Sequence, residues 1–585
     1  MKKKLLALSI SLAAATLLVA CSSDDGKNGL PGRAGVDGTD GINGIDGTNG
    51  TNGTNGTNGI DGQDLTPMPK LIRLVTIPLG SELTGVFKTD NGEMFFNVQH
   101  PTSSLPNNEG RAALGAWNEF DIDNLDPRLT PVPVPLSASA DAETTRVAIG
   151  SYQVLGREGD LVGPDMPFGL GYITDATGAV GIKQSNNPDF NAFIPTNASG
   201  TQGYLYSAWE DRPGAVSRLG LTKSGSSWLV TGATNVDFSS VNGTMINCFG
   251  SVSPWGTPLT SEENYEAENT VRWNDATYST GYPNYADVKN IQTYLGGIYP
   301  NPYDYGYIVE ITDAKSATPI PVKHFAMGRM AHENSVIMPD HKTVYLTSDG
   351  SGQAFFKFIA DAADDLSAGT LYAAKLTQDA TRDASKAGFD IEWIELAHGS
   401  NSQIEAWIND YDGIDEGDYV YGSTNYISDA EVADWANGLA SDDRVAFLES
   451  RKAAAAKGAS VEFNKMEGIN INYDGVASGA VPFMYEAMSD VKGTMSDTAG
   501  DIQVDENRCG IVYRFGLTLT YDVIRMDPAV VGGPYNSAAS ENRCSTDNIA
   551  QPDNIVVLDD GRVLIGEDTG NHVNNMMWIY NPKGE

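Results

Sequence analysis

The sequence predicts an all-β protein, a β-propeller with a helical insertion. Three observations lead to this prediction. Short hairpins recur along the chain, the 585 residues exceed the usual size of a single hydrophobic core, and one alanine-rich segment has helical spacing. A propeller closes radially and leaves few exposed strand edges, and at roughly four strands a blade, six or seven blades account for the length.

The first twenty residues predict an export signal. Three lysines at positions 2 to 4 precede an apolar run, Leu5 to Leu18, which is shorter than the roughly 20 residues that span a bilayer. Leu-Val-Ala followed by Cys21 resembles the lipobox of bacterial lipoproteins, in which the cysteine is lipidated. No aspartate follows it directly, so the resemblance implies an outer-membrane or cell-surface location. An ordinary cleaved signal with an incidental Cys21 is the alternative.

Residues 21–66 predict a spacer between the anchor and the globular domain. Glycine occupies every third position from Gly26 to Gly62, which is the period that a collagen triple helix requires. The tract has one proline, Pro31, whereas stable collagens are rich in proline. Two interpretations therefore stay open, a polar linker and a collagen-like stalk that would make the chain a homotrimer.

The domain predicted for residues 67–585 contains hairpins and one helical segment. Lys342 to Ala360 and Asn554 to Asp568 each place two β-rich runs around a turn. Ser428 to Lys457 has the spacing and the alanine content of helices. The tyrosine- and proline-rich segment 281–307 predicts a long loop.

Charge and cysteine content narrow the classes of function. The formal net charge of −38 argues against nucleic-acid binding, which needs basic patches. It fits an extracytoplasmic protein, including one that collects cations. Besides Cys21, the chain has three cysteines. Cys509 and Cys544 could pair in an oxidising compartment, which would leave Cys248 alone.

Several segments combine candidate ligands with turn-like sequences. Each motif alone also fits an ordinary turn or a solvated face. In this order, however, they resemble the PhoX-type alkaline phosphatases. The matching blocks are N-C-F-G, P-W-G-T and L-T-S-E-E-N within Asn247–Asn264, G-R-M-A-H-E from Gly328, a strand ending at Asp349 before F-F-K-F, Lys465 with Glu467, and Pro-Asp-Asn from Pro552.

The resemblance implies a six-bladed propeller with an axial cluster of Ca²⁺ and Fe³⁺. A soft thiolate suits iron, and hard carboxylates suit calcium. Lys465, where the family commonly has arginine, would hold the phosphoryl group. His332 would support a metal ligand or face the substrate. By position, the implied metal ligands are Cys248, Glu263, Glu333, Asp349, Glu467 and Asp553.

The implied activity is metal-dependent hydrolysis of phosphate monoesters outside the cytoplasm, which releases inorganic phosphate for scavenging. A lipid anchor would hold the enzyme at the membrane while it acts on its phosphate-ester substrate. Two alternatives stay open: a non-catalytic propeller displayed on the stalk as an adhesin or binding module, and a propeller that hydrolyses other esters. The sequence has no Gly-x-Ser-x-Gly motif, which would indicate a serine mechanism.

Overall fold

The computed structural model of the protein describes residues 70–126, 128–263, 270–279, 284–479 and 481–584. The predicted signal peptide, Cys21 and the Gly-X-Y spacer lie outside the described residues. Strands dominate the described part, as the sequence predicts. None of its helices combines the length and the apolar character that crossing a bilayer requires.

The first three blades are four-stranded antiparallel sheets. After β1 (Leu71–Thr76) come β2 (Glu82–Lys88), β3 (Met94–Gln99), β4 (Ala113–Asn118), β5 (Arg146–Val147) and β6 (Ser151–Arg157), and blade one is β2-β3-β4-β6. A hairpin of β7 (Tyr172–Thr174) and β8 (Gly181–Gln184) precedes blade two, which is β9 (Pro188–Pro195), β10 (Gln202–Trp209), β11 (Ala215–Ser224) and β12 (Ser227–Asn235). Blade three is β13 (Asn247–Val252), β14 (Pro258–Glu262), β15 (Ile308–Thr312) and β16 (Ile320–Lys323), with α1 (Tyr285–Tyr294) between β14 and β15.

The last three blades include one long sheet and the helical insertion. Blade four is β17 (His332–Ile337), β18 (Thr343–Ser348), β20 (Phe356–Ala362) and β21 (Asp365–Gln378), with β19 (Ser351–Gln353) between β18 and β20. Next come β22 (Phe389–Ser400), α2 (Asn401–Ile408), α3 (Asp429–Ala436), α4 (Arg444–Leu448), α5 (Ser450–Ala456) and β23 (Phe463–Asn464). Blade five is β24 (Met466–Asn470), β25 (Phe483–Met488), β26 (Ile511–Leu517) and β27 (Val523–Val531), with α6 (Tyr473–Ser478) after β24. Blade six consists of β28 (Pro552–Val557), β29 (Val563–Glu567), β30 (Met576–Tyr580) and β1.

The innermost strands close into a ring, so the protein is a six-bladed propeller. Around this ring, β2 contacts β9, β9 contacts β13, β13 contacts β17, β17 contacts β24, β24 contacts β28, and β28 contacts β2 again. The amino-terminal β1 is the fourth strand of blade six, where it pairs with β30 on one side and with the two-residue β5 on the other. Strand β22 pairs with both β21 and β27 and thereby joins blades four and five into one nine-stranded sheet.

Six hydrophobic clusters in the described part of the chain fill the spaces between neighbouring blades. Successive side chains of a strand point to opposite faces, so they enter different clusters. In β3, Phe95 packs between blades one and two, whereas Phe96 packs between blades six and one. Because both faces are covered, β3 is buried along its whole length and does not alternate between apolar and polar residues.

The helical insertion is confirmed, and it packs against the cluster between blades three and four. Ser428 caps α3 in a capping box with Glu431, and α3, α4 and α5 share the segment predicted to be helical. The long loop predicted for residues 281–307 is wrong in part, because α1 lies within it. Asn284 and Asp287 form a capping box that satisfies backbone donors at the start of α1.

Of the three cysteines in the described part of the chain, two form a disulfide and one is free, as the sequence analysis allows. Cys509 and Cys544 form a disulfide, with their Cα atoms 5.9 Å apart. This bond ties the turn before β26 to the segment before β28, so it links blades five and six. Cys248 is free and buried.

Candidate active site

The innermost strand of every blade carries a metal-binding type of side chain at its first or second position. Each blade has four antiparallel strands, so the chain returns to the same end of the propeller before every new innermost strand. The six side chains therefore lie around one end of the axis. They are Glu82 in β2, Asp189 in β9, Cys248 in β13, Glu333 in β17, Glu467 in β24 and Asp553 in β28.

A second tier of polar residues surrounds the first. The second strand of each blade runs back to the end of the propeller at which the innermost strand begins. In all six blades, the residue directly after this second strand is polar. The residues of this tier are His100 after β3, Glu210 after β10, Glu263 after β14, Asp349 after β18, Ser489 after β25 and Asp568 after β29.

Among the described residues, two groups of side chains come close enough to hold a metal ion. Asp189, Cys248 and Glu333 form one group, and Glu333, Glu467 and Asp553 form the other. Within each group, one ligand atom from each residue lies within 4.8 Å of the others. Glu333 belongs to both groups, and its Oε2 accepts a hydrogen bond from Cys248 Sγ at 3.2 Å. The geometry thus provides two adjacent metal positions that share one carboxylate.

Burial and mutual repulsion raise the pKa values of these groups. Burial is the larger cause, and neighbouring carboxylates add to it. The pKa of Glu467 rises to about 7, because burial and the charge of Asp349 outweigh the opposing charge of Lys465. The groups whose pKa lies well above its usual range are Asp189, Cys248, Glu333 and Asp553.

The donor set fits metal ions. Buried carboxylates side by side are costly unless they are protonated or matched by cations. Among the described residues, the buried Asp189 Oδ2 and Glu263 Oε1 have no hydrogen-bond partner, so both oxygens are open to coordination. One thiol among carboxylates suits a transition metal, and the all-carboxylate group suits a hard divalent cation.

Lys465 brings a positive charge to the site, as does His100, whose pKa rises to about 10 because burial is outweighed by the hydrogen bond and charge of Glu82. Lys465 Nζ lies 2.5 Å from Asp349 Oδ2 and 3.1 Å from Glu467 Oε1. Burial alone would lower the pKa of Lys465, but the charges of Asp349, Glu467 and Glu263 raise it well above its usual range. Burial alone would likewise raise the pKa of Asp349, which the charge of Lys465 instead lowers. One third of the Lys465 side chain is exposed, so a charged end remains accessible beside the buried ligands.

Left-handed backbone conformations precede four of the six axial residues. The residue two positions before the ligand has a positive φ at Gly80 (74°), Ile246 (49°), Lys465 (61°) and Gln551 (44°). Three of these residues carry a side chain, for which this conformation costs roughly 1–2 kcal/mol. Strain that recurs at equivalent positions around a site indicates that the surrounding structure imposes it to aim the next side chains.

Two buried glutamates hold the turns before the innermost strands. Glu262, the last residue of β14, accepts hydrogen bonds from the backbone N–H groups of Met245 (3.0 Å), Gly306 (2.9 Å) and Tyr307 (3.1 Å). Its Oε1 also lies 3.1 Å from Nζ of the buried Lys323. The turn at Met245 leads directly into β13, so Glu262 fixes the approach to Cys248.

Glu567 has the same role in blade six. It is the last residue of β29, and it accepts hydrogen bonds from the backbone of Ala550 (2.9 Å) and Met576 (3.1 Å). Nδ1 of His572 lies 3.0 Å from Glu567 Oε2, so His572 takes the place that a lysine has in blade three. The turn at Ala550 leads into β28 and Asp553.

The family model for alkaline phosphatase PhoX matches residues 216–585, which is more than half of the chain. The chain belongs to the PhoX alkaline phosphatase family. It is accordingly a phosphatase, and it acts on phosphoesters. The matched range begins in β11 and contains four of the five residues of the two metal-binding groups.

Solved structures are similar to this PhoX chain. PhoX of Pseudomonas fluorescens in complex with vanadate, a transition state analogue, is 19% identical with a TM-score of 0.51, over 74% of this chain and 83% of that chain. The calcium structure of a Trichoderma reesei carbohydrate-active enzyme of family AA12 is 10% identical with a TM-score of 0.33, over 89% and 99% of the two chains. No curated protein matches the sequence.

The predicted metal ligands of this PhoX chain all lie at one end of the axis. Cys248, Glu333, Glu467 and Asp553 belong to the two metal-binding groups. Glu263 and Asp349 belong to neither group; both are buried and lie beside Lys465, and they share a hydrogen bond. Their assignment as metal ligands stays a prediction.

His332 is fully buried at the start of β17, next to Glu333 in sequence. Its Nε2 lies 2.9 Å from the carbonyl oxygen of Gly328. Burial lowers the pKa of His332 to about 4, so the ring is neutral at neutral pH. The contact with Gly328 ties His332 to the turn before β17, the strand that carries Glu333. A direct catalytic role for His332 stays a prediction.

Sequence reasoning missed Asp189, the fifth residue of the two metal-binding groups. Asp189 lies before the range matched by the family model and outside the quoted motifs. A signal was nevertheless present, because the dipeptide Pro-Asp begins both β9 and β28 and places an aspartate second in each strand. Glu82, Glu210 and Asp568 were missed for a different reason, since only the blade register shows that they face the axis.

Proposed function

We propose that this PhoX chain hydrolyses phosphate monoesters outside the cytoplasm and releases inorganic phosphate for uptake, with Fe³⁺ and Ca²⁺ as its metal ions. One observation carries the proposal. Glu333 is shared by a group that contains a thiol and a group made only of carboxylates. Two adjacent positions of different ligand chemistry favour two different metals.

The residues divide between the metals by donor type. Asp189, Cys248 and Glu333 would hold iron, since the thiolate is a soft ligand. Glu333, Glu467 and Asp553 would hold calcium, which prefers carboxylate oxygens. When bound, the ions supply the positive charge that phosphoryl transfer requires at its oxygens.

Lys465 would position the phosphoryl group. Its Nζ is held by Asp349 and Glu467, and its partly exposed side chain keeps it open to a substrate. A lysine offers a point charge to phosphate, whereas an arginine would offer a bidentate contact. Among the axial residues, Lys465 is therefore the group that attracts and orients the phosphate while the buried carboxylates remain bound to metal.

Hydrolysis and metal content, measured on the same samples, test the proposal. Wild-type protein starting at Pro67 is compared with Cys248→Ala and Glu333→Gln, with and without added Ca²⁺, on p-nitrophenyl phosphate and bis-p-nitrophenyl phosphate. We expect the monoester to be preferred, iron to be lost in Cys248→Ala, and both variants to lose about a hundredfold or more in kcat/KM.

A matched control is Glu449→Gln, which changes a buried glutamate in the helical insertion that contacts Tyr303 Oη at 3.0 Å. This variant should keep its metals and its activity. A folded, metal-free and inactive wild type would overturn the proposal and favour the displayed binding module. A preference for the diester would overturn only the substrate class.

We also propose that Cys21 carries a lipid and that the spacer holds the enzyme at the outer membrane or cell surface. The lipobox-like sequence and the acidic net charge support this location. Labelling of cells with a palmitate analogue should mark the wild type but not Cys21→Ala. Light scattering of chains that start at Ser22 and at Pro67 should give different oligomeric states if the spacer forms a trimeric stalk.

A further inference from the structure

A cavity lies on the same face of the propeller as the axial residues. Its volume is about 300 Å³. It lies between residues 165–178 of the connection from blade one to blade two, the start of β11 at Gly214 and Ala215, and the residues that end and follow β12. In each blade the chain runs up and down, so the third strand begins, and the fourth strand ends, on the face where the innermost strand begins. The cavity therefore lies on the axial-ligand face, further from the axis in blade two.

Four aromatic rings contribute to the lining. Phe168 and Tyr172 are stacked, with ring centroids 5.1 Å apart and an angle of 20° between their planes. Phe168 is 39% exposed although it is a large apolar side chain. Phe238 and Tyr294 also line the cavity. This volume is many times the roughly 10–15 Å³ that one water molecule needs on the same measure, so the cavity accommodates a small organic ligand.

The charge of the lining is negative. Asp175 and Asp237 line the cavity, and no lysine or arginine does so among the described residues. Both carboxylates act on the pKa of Tyr294, which burial raises first and their negative charges raise further. Their charges therefore converge on the phenol at the edge of the cavity.

Tyr294 also provides an unpartnered polar group. It is 92% buried, since 8% of its surface is exposed, and it lines the cavity. Its hydroxyl makes no hydrogen bond within the described part of the chain and is not itself fully buried, so it is open to solvent and available to a ligand.

We propose that this cavity binds a small quaternary ammonium group such as that of choline. Aromatic faces attract alkylated cations through their quadrupole, and flanking carboxylates add attraction at longer range. The hydroxyl of Tyr294 would bond to the polar end of the ligand. Anionic ligands are excluded by the carboxylates, and the rings favour a cation with methyl groups over a hydrated metal ion.

Calorimetric titration of the full-length protein with choline tests this proposal without any phosphate ester, so its outcome is independent of the proposed phosphatase reaction. We expect saturable binding at one site per chain. The uncharged isostere 3,3-dimethylbutan-1-ol should bind about tenfold more weakly, because it lacks the cation–π attraction.

Two variants localise the binding. Phe168→Leu should weaken choline binding about tenfold, and Asp237→Asn about fivefold. Asp497→Asn is the matched control: like Asp237, Asp497 accepts a hydrogen bond from the backbone N–H two residues later, and it lies outside the cavity. Melting temperatures establish that each variant is folded, which the exposure of Phe168 and Asp237 favours.

Three results would overturn the proposal. Equal affinity for choline and its uncharged isostere would show that the cavity recognises shape alone. Unchanged affinity in both variants would place the bound cation elsewhere, with the axial carboxylates as the first alternative. No saturable heat with wild-type protein would show that the cavity has no affinity for this class of ligand.

Discussion

At the scale of single residues, backbone strain and charge meet at Lys465. Its φ of 61° places a lysine in a conformation that favours glycine, and its Nζ lies between Asp349 and Glu467. The equivalent position is Gly80 in blade one, Ile246 in blade three and Gln551 in blade six. What distinguishes Lys465 is its charge, which lies between two buried carboxylates at the axis.

Replacing this cation should impair catalysis more than folding. Lys465→Met removes the positive charge next to the buried ligands, and we expect kcat/KM for p-nitrophenyl phosphate to fall about a hundredfold. Lys465→Arg should retain more activity, since the charge remains. Inhibition by inorganic phosphate measures the same contact without turnover, and its constant should rise in Lys465→Met.

The control is Lys492→Met, in the same blade, where the lysine pairs with Asp490 and is 45% exposed. It should leave both measurements unchanged. Equal kinetic losses in Lys465→Met and Lys492→Met would contradict a specific role for Lys465.

His572 should make the stability of the protein depend on pH. Burial alone would lower the pKa of His572, but the charge and hydrogen bond of Glu567 raise it above its ordinary value of 6.5. A raised pKa in the folded state means that the imidazolium contributes its full stabilisation below pH 6.5. That contribution is lost as the pH rises through the folded-state pKa.

We therefore expect His572→Gln to lower the urea midpoint most at pH 6, where it removes a charged hydrogen bond of about 1.5–3 kcal/mol. At pH 9 the gap between wild type and variant should be smaller. A gap that is constant from pH 6 to pH 9 would show that the pair does not titrate as described.

At the scale of elements, local patterns in the sequence were informative and long-range pairings were not. The hairpins predicted around Asp559 and within Lys342–Ala360 are confirmed, because each pairs strands close in sequence. The pairing of β22 with β27 joins strands more than 100 residues apart, and no local pattern indicates it. The blade number followed from the family resemblance, since strands covered on both faces hide the repeat.

The residues of the candidate site also divide into those that local sequence motifs indicate and those that only the fold brings together. Cys248, Glu333, Glu467 and Asp553 lie within motifs that resemble those of the family, so sequence predicted them as ligands, and the structure brings them together. Asp189 belongs to the same cluster, yet only the ring of innermost strands brings it to Cys248. A ligand supplied by a strand far away in sequence is found only once the blades are in register.

Glu262, which holds the turn before β13, leads to a prediction about Cys248. Glu262→Gln leaves Lys323, whose side chain is 1% exposed, as an unpaired buried charge, which costs roughly 3–5 kcal/mol. It also weakens the bonds that hold the turn before β13. We expect a lower melting temperature and faster reaction of Cys248 with a thiol reagent in metal-depleted protein.

The matched control is Glu310→Gln, which removes a buried carboxylate from β15 of the same blade. Glu310 contacts His324 and Trp255 and makes no described contact with the turn before β13. This variant should lose stability without a change in thiol reactivity. If Cys248 reacts at the same rate in all three proteins, Glu262 stabilises the blade without positioning the ligand.

At the scale of the whole molecule, the ring depends on one strand from the amino-terminal side. Strand β1 pairs with β30 from Leu71 opposite Tyr580 to Thr76 opposite Met576. It places Leu74 and Val75, both fully buried, in the cluster between blades six and one. The two metal-binding groups draw their side chains from five blades, so their geometry depends on how these blades are held together.

Two truncated chains distinguish the contribution of the spacer from that of β1. A chain starting at Pro67 keeps β1, and we expect it to melt like the full-length protein and to keep its metals. A chain starting at Pro78 loses β1 and with it four buried aliphatic side chains, Ile72, Leu74, Val75 and Ile77. At roughly 1.5–3 kcal/mol for each side chain, this loss rivals the 5–15 kcal/mol that stabilises a typical protein. We expect that chain to lose cooperative unfolding and bound metal together, as measured by calorimetry and elemental analysis. If it instead retained both, blade six would be stable without β1, and the axial site would depend on the innermost strands alone.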